Sequence, residues 1–199
     1  MQDRWIIIGC GGHARSIADV IIFNDENADI IFLDEKARPN EKLLGYPVVA
    51  AYNITEEKVI VGLGDNLKRK ELSKRYYNNL ANVVSKNAYV SKYAKLGKGV
   101  FIAHKAHVGV LSEVNDFAIV NTGADVDHEC FLGEASFIGP NSALCGKVSI
   151  GENTFLGAGV TVIPEIKIGK DITIGAGALV NKNINDCGTY VGVPAEQIK

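Results

Sequence analysis

The chain has 199 residues with 22% charged side chains and a formal net charge of −2. That length suits one large domain or two small ones and can bury a real core. A charge so near zero argues against nucleic acid or an anionic membrane as partner, and no run of about eighteen apolar residues offers a membrane span.

The opening MQDRWIIIGCGG has a short apolar centre that a glycine cluster interrupts, with no small-residue cleavage site after it, so a signal peptide is not expected. Cys10, Cys130, Cys145 and Cys187 are scattered without a CxxC pair, which fits reduced, structural thiols in a cytoplasmic protein.

Residues 4 to about 80 read as alternating strands and helices. Trp5-Ile6-Ile7-Ile8 is an all-apolar run of the kind a parallel strand covered on both faces requires. After Gly9-Cys10-Gly11-Gly12 comes a helical pattern from His13 to Phe23, with Ile17, Val20 and Ile21 on one face. Ile30-Ile31-Phe32-Leu33 is a second strand ending at Asp34-Glu35, and Lys36 to Pro47 is polar and turn-rich. Lys58 to Val61 is a third strand, followed by Gly62-Leu63-Gly64-Asp65 and a charged helical segment from Asn66 to Asn79. These units make a small Rossmann-like domain over residues 1–80, and a strand at Ala81 to Ser85 leads into the second half, 81–199. With no long linker, the halves should be closely coupled.

The second half is periodic. A branched aliphatic residue recurs at every sixth position from Val84 to Val180, and a small or β-branched residue follows four places later from Ala94 onward, as in Ala106, Ser112, Cys130 and Ser142. Neither an α-helix nor a heptad coil has a period of six; a hexapeptide parallel β-helix does. Three hexapeptides make one triangular turn, so the repeat gives five to six turns and, at about 4.8 Å per stacked strand, a prism roughly 25 Å tall. The first series fills the core and the second fits where the walls are narrowest. The glycines after the first series, such as Gly109, Gly133 and Gly151, are expected to supply the backbone angles of a tight bend.

Gly9-Cys10-Gly11-Gly12-His13-Ala14 satisfies G-x-G-x-x-A between a strand and a helix, with Asp34 about 20 residues on. Free N–H groups at a helix N-terminus favour an anion, most naturally a diphosphate. A nucleotide sugar meets that description as well as NAD does, and about 80 residues make only half a dinucleotide fold. A glycine loop that merely turns the chain is the plainer alternative. If Gly62 to Asp65 ends the strand beside the first, both loops open at one switch point, and Asp34 and Glu35 stand over a ligand crevice rather than at a solvated strand end.

His128 lies two places after Val126, and Glu129 follows it. Because Val126 and Cys130 belong to the core series, His128 belongs outside, where a neighbouring subunit can pack. An imidazole there can take a proton near neutral pH, and an adjacent carboxylate can hold its tautomer. Neighbouring side chains on a straight strand point to opposite faces, so contact between the two needs a bend. On spacing alone, a surface histidine in a charged stretch (Asp125, Asp127, Glu134) remains the simpler reading.

These residues carry a resemblance. IIIGCGGHARSI, FLDE at Asp34-Glu35, IVNTGADVDHECFLGE around His128, VTVIP at Val160 to Pro164 and the closing YVGVPA resemble the bacterial sugar O-/N-acetyltransferases of the hexapeptide-repeat superfamily. That family is typified by sialic acid O-acetyltransferases and UDP-4-amino-sugar N-acetyltransferases. The resemblance implies a left-handed β-helix, a homotrimer with clefts between subunits, His128 as general base and Glu129 as its tuning carboxylate. It implies that Gly11, Gly12, His13, Asp34, Glu35, Gly64 and Asn121 hold a nucleotide-linked amino sugar, with UDP as the expected nucleotide. Acetyl-CoA is implied along an adjoining prism wall near Gly146, Ala158 and Ala176, with no metal. The chain departs from its relatives at Phe137, where they often carry a polar residue beside acetyl-CoA.

The expected reaction is direct transfer of acetyl to a sugar 4-amino group for bacterial surface glycan synthesis, with a backbone N–H at the oxyanion. Cys130, turned to the core, offers no nucleophile, so a ternary complex is expected. O-acetylation of sialic acid by the same machinery is the nearest alternative. A zinc hydratase of the carbonic anhydrase type would use His104, His107 and His128, although the first two fall on different parts of a turn. A non-catalytic scaffold would leave the His-Glu pair and the glycine loop unexplained.

Overall fold

The computed structural model describes residues 4–198. Five strands form the N-terminal sheet: β1 (Arg4–Ile8), β2 (Asp29–Leu33), β3 (Lys42–Leu43), β4 (Tyr46–Val49) and β5 (Lys58–Val61). Their order is β3-β4-β2-β1-β5, and β1 pairs in parallel with β2 on one side and β5 on the other. The strand order therefore reverses between β1 and β5, as the two glycine loops require. The stretch from Lys36 to Pro47 is more than a turn: β3 and β4 form an antiparallel hairpin. Its two-residue turn, Leu44 (φ 52°) and Gly45 (φ 87°), has the paired positive angles of a primed turn. Leucine in place of the usual asparagine hides that signal in the sequence.

Two helices cover the sheet, α1 (Gly12–Asn24) and α2 (Asn66–Arg75). Ala14, Ile17, Ala18, Val20 and Ile21 of α1 share one apolar cluster with Ile7, Ile30 and Ile60 of the sheet and with Phe101, Ile119 and Phe137 of the repeat. α1 is thus the filling between the two halves. Burial of each large side chain there contributes about 1.5–3 kcal/mol. On the other sheet face, Ile6, Ile8, Ile31 and Val59 pack with Leu72 and Tyr76 of and after α2. α2 ends at Arg75, four residues before the expected Asn79.

The repeat is a left-handed β-helix with three walls. The first wall rises from Val83–Val84 through Phe101–Ile102, Ile119–Val120, Phe137–Ile138 and Phe155–Leu156, and carries the N-terminal domain. The second runs from Tyr89–Val90 to Leu179–Val180, and the third from Lys95–Leu96 to Lys167–Ile168. Every wall strand pairs in parallel with the one eighteen residues away, as His107 does with Asp125. Gly188–Val191 and the antiparallel Glu196–Gln197 extend the first wall, where Tyr190 and Ala195 join the prism core.

The bends work differently from the expectation. The residue three places after each inward aliphatic has positive φ, in an unbroken series of period six from Gly99 to Gly177, and only Gly99, Gly123, Gly159 and Gly177 in it are glycine. The others, including Leu111, Phe117, Glu129 and Ala135, accept a left-handed conformation that costs about 1–2 kcal/mol each. Most of these N–H groups donate to the turn below, for example Glu129 to the Val110 carbonyl at 2.9 Å. The glycines directly after the aliphatic series serve close stacking instead. A Cβ on Gly109 would lie 2.7 Å from the Asp127 carbonyl carbon, and one on Gly133 2.6 Å from the Glu152 nitrogen.

The second series is small because it sits inside these bends, and it is often polar for a reason the spacing does not show. Ser112 Oγ donates to the Asp127 carbonyl at 2.7 Å and accepts the Cys130 N–H at 3.1 Å. Ser142 and Thr154 repeat this relay higher up. Fully buried hydroxyls here satisfy backbone groups that the kinked corners leave without a ladder partner.

Candidate active site

His128 sits on the edge between the second and third walls, directly after Asp125–Val126. Its Nδ1 lies 2.9 Å from Glu129 Oε2, and its N–H donates to Asp127 Oδ1 at 2.7 Å. With Nδ1–H donating to the carboxylate, Nε2 carries the lone pair and faces out of a side chain that is 46% exposed. One turn above lies Gly146. A Cβ there would stand 2.4 Å from His128 Nε2, so the imidazole rests in space that only glycine leaves open. The Gly146 N–H makes no hydrogen bond among the described residues. A half-exposed base thus lies against a buried glycine whose N–H is unpaired among the described residues, the two kinds of group acyl transfer needs. Cys130 is buried in the core beside them, its thiol pushed up to about 11 by burial, as expected of an inert cysteine.

Of the candidate residues of the N-terminal domain, Asp34, Glu35 and Gly64 line two clefts. The first, about 560 Å³, lies over the carboxyl ends of the strands and is lined by Gly9, Asp34, Glu35, Leu63, Lys68 and Arg75 among others. Asp34 braces the glycine loop: Oδ2 accepts from the Cys10 N–H at 3.2 Å and thiol at 3.1 Å, and Oδ1 from the Lys36 N–H at 3.0 Å. These bonds, the one from Lys36 foremost, hold its carboxyl below the usual range. Glu35 is exposed at the cleft mouth. The second cleft, about 430 Å³, is lined by Gly64, Asp65, Asn66, Asn153, Phe155 and Thr173, where α2 meets the first wall. Gly11 caps α1 and is exposed with Gly12, outside the lining of either cleft.

His13 departs from its expected place. Its ring packs edge-on to Phe101 at 5.3 Å and tilted to Phe137 at 6.3 Å, with Nε2 buried and unpartnered. Burial drives it down to about 4, so it is neutral at physiological pH and belongs to the domain interface. Phe137 packs there too, stacked on Phe155 at 4.7 Å.

The remaining residues are apart from His128. Asn121, Ala158 and Ala176 lie on the edge between the first and second walls, whereas His128, Glu129 and Gly146 lie on the next edge, across the second wall. The histidines of the zinc alternative are likewise dispersed. His104 Nδ1 lies 2.7 Å from Ser85 Oγ and its Nε2 3.3 Å from Asp19, while His107 stacks on Tyr89 on the second wall.

Sequence reasoning missed Arg69, which is 1% exposed on α2. Its Nε donates to the Phe117 carbonyl at 2.8 Å and Nη2 to the Ala135 carbonyl and to Asn66 Oδ1, each at 2.8 Å. Nη1 donates to the Leu63 carbonyl at 3.1 Å and to that of Gly64 at 3.4 Å. Burial pushes the guanidinium down from its usual range, and these bonds hold it where no described carboxylate forms an ion pair with it. Asn66 Nδ2 reaches the Asn153 carbonyl at 2.8 Å, and Lys70 pairs with Glu134 and Glu152. α2 therefore reads successive corners of one prism edge, eighteen residues apart. The only sequence trace is the eighteen-residue spacing of Asp116, Glu134 and Glu152.

Residues 4–76 match the family model of the PglD N-terminal domain, and 129–164 and 147–182 match the bacterial transferase hexapeptide (six repeats). The chain is 34% identical to a mutant of perosamine N-acetyltransferase from Caulobacter crescentus, solved with CoA and GDP-perosamine, with a TM-score of 0.89 over 98% of this chain and 97% of that one. It is 29% identical to the acetyltransferase domain of PglB from Neisseria gonorrhoeae, solved with acetyl coenzyme A, with a TM-score of 0.93 over the full length of both. An uncharacterized protein of Acanthamoeba polyphaga mimivirus is 34% identical over 119 residues, 57% of this chain; the chain spans 24% of that curated relative's length. No helix among the described residues is long and apolar enough to cross a membrane. Carrying the PglD-type domain on a hexapeptide prism, and matching perosamine N-acetyltransferase over nearly all of both chains, the chain belongs to the hexapeptide-repeat sugar N-acetyltransferases.

Proposed function

We propose that the protein transfers acetyl from acetyl-CoA to the 4-amino group of a nucleoside diphosphate-linked sugar, with His128 as general base. The observation that carries this reading is the half-exposed His128–Glu129 pair, its imidazole lying against Gly146, whose N–H is unpaired among the described residues. His128 Nε2 takes the proton as the amine attacks the thioester, Glu129 stabilises the imidazolium, and the Gly146 N–H receives the oxyanion. The tetrahedral intermediate then expels CoA thiolate. The Cys130 thiol beside this edge is buried in the core, which favours a ternary complex.

The nucleotide rests in the cleft over the strand ends, and its sugar passes loop 62–65 toward the second cleft. His128 of the same chain lies on the prism edge opposite the first wall, which bears that domain. The amine therefore meets the histidine of a neighbouring subunit, and the edge with Asn121, Ala158 and Ala176 faces that histidine across the interface. A closed three-fold ring of prisms satisfies this, so the working form is a homotrimer. Free thiols and two metabolic co-substrates fit the cytoplasm, with a product destined for surface glycans.

Thiol release from acetyl-CoA, measured against UDP- and GDP-linked 4-amino sugars and free sialic acids, tests this. Turnover with an amino sugar and none with its deaminated analogue is the expected result. Turnover with sialic acid alone would replace N- by O-acetylation, and silence throughout would remove the enzyme reading.

A further inference from the structure

Arg69 does more than join α2 to the prism. Its Nη1 collects two consecutive carbonyls, those of Leu63 and Gly64, while Nε and Nη2 hold the corner carbonyls of Phe117 and Ala135. A trans peptide directs its N–H opposite to its carbonyl. With the Leu63 and Gly64 carbonyls drawn inward onto the guanidinium, the N–H groups of Gly64 and Asp65 are turned away from it. Neither meets an acceptor among the described residues. They lie between the two clefts, since Leu63 lines one and Gly64 and Asp65 line the other. Gly64 leaves open space where a side chain would stand, with no atom within 4 Å of a Cβ. A bulky anion can approach this backbone closely.

We propose that Arg69 is a positioning residue for the acceptor: by holding the Leu63 and Gly64 carbonyls on the prism edge, it presents the Gly64 and Asp65 N–H groups as a seat for the diphosphate. This rests on the reading of the protein as a nucleotide-sugar acetyltransferase. The cation works from behind the loop. It never touches the ligand, and it ties the seat to the prism corners at Phe117 and Ala135. The second glycine loop, more than Gly11 and Gly12, then bears the diphosphate.

The test compares binding of a nucleoside diphosphate with that of its nucleoside, UDP against uridine and GDP against guanosine, by calorimetry on wild type, Arg69→Met and Arg69→Lys. The wild type is expected to prefer the diphosphate. Arg69→Met should weaken the diphosphate about tenfold or more and leave the nucleoside within about twofold, because only the oriented N–H groups are lost. Arg69→Lys keeps a charge that cannot span the carbonyls, so it should show a smaller loss in the same direction and serves if the methionine variant does not fold. The KM for the nucleotide sugar should rise with no change in that for acetyl-CoA. Equal weakening of nucleoside and diphosphate would make Arg69 a structural clamp only and overturn the proposal, with the acetyltransferase reading intact. A wild type indifferent to the diphosphate would overturn both.

Discussion

His128 and Glu129 are neighbours in the chain whose side chains meet, Nδ1 to Oε2 at 2.9 Å, because Glu129 turns the backbone through a φ of 57°. On a straight strand the two would point to opposite faces. The left-handed corner that every hexapeptide needs is thus the device that couples the base to its carboxylate. Glu129→Gly keeps the bend and removes the carboxylate, so kcat should fall about 10–100-fold, the loss of one charge-assisted hydrogen bond, with Tm unchanged or higher. Glu129→Val places a β-branched residue at positive φ and should lower Tm as well. Equal kcat in wild type and the glycine variant would show that the carboxylate has no part in the chemistry.

His128→Ala removes the base itself. The rate should drop about 10²–10⁴-fold while the oligomer and its thermal melt stay as they are, since the side chain is half exposed and packs little. Steady-state rates and sedimentation on the same preparation check this; an unaffected rate would exclude the role.

Gly146→Ala separates the histidine's position from its chemistry. The new methyl would lie 2.4 Å from Nε2 and 2.5 Å from Cε1, and the exposed ring can swing away from it. The variant should fold normally and lose about 100-fold in kcat, as misplacement of a catalytic group by about 1 Å does. If kcat holds, the imidazole need not occupy that space during transfer.

What could be read in advance follows from how local each cause is. The prism core depends on inward aliphatics at fixed intervals, and Val126, Leu132 and Ile138 show that directly. The same register placed His128 outside. The bends were misread because glycine is the expected carrier of positive φ, whereas here Leu111, Phe117 and Glu129 take it and the neighbouring glycines serve stacking. His13 and Phe137 meet each other across halves separated by more than a hundred residues, which no local pattern reports. Arg69 sat unnoticed in a charged helix for the same reason: its partners are backbone carbonyls, and these carry no sequence signature.

The two classes of glycine should respond differently to alanine. Gly133→Ala drives a methyl to within 2.6 Å of the Glu152 nitrogen, so two turns must separate, at a cost of about 1–3 kcal/mol or more. Gly159 has φ 68° and open space around its Cβ direction, so Gly159→Ala should cost only the left-handed strain of about 1–2 kcal/mol. Chemical denaturation of both variants gives the order; a reversal would mean that the turns slide apart easily and that the bends limit stability.

His13 predicts a pH dependence with a definite sign. Folding buries its ring between α1 and the first wall and lowers it from 6.5 to about 4. Between those values the unfolded chain binds a proton that the folded chain refuses, so stability is full above about pH 6.5 and falls as the pH drops toward 4. The whole shift corresponds to at most about 3 kcal/mol. His13→Phe keeps an aromatic ring against Phe101 and Phe137 and cannot titrate, so its unfolding free energy should lose this part of the acid slope. Urea melts of both proteins at pH 7.0, 6.0, 5.0 and 4.5 (about half-unit to unit steps across the window) measure the difference. Parallel curves would mean that the imidazole is protonated, and accommodated, in the folded interface.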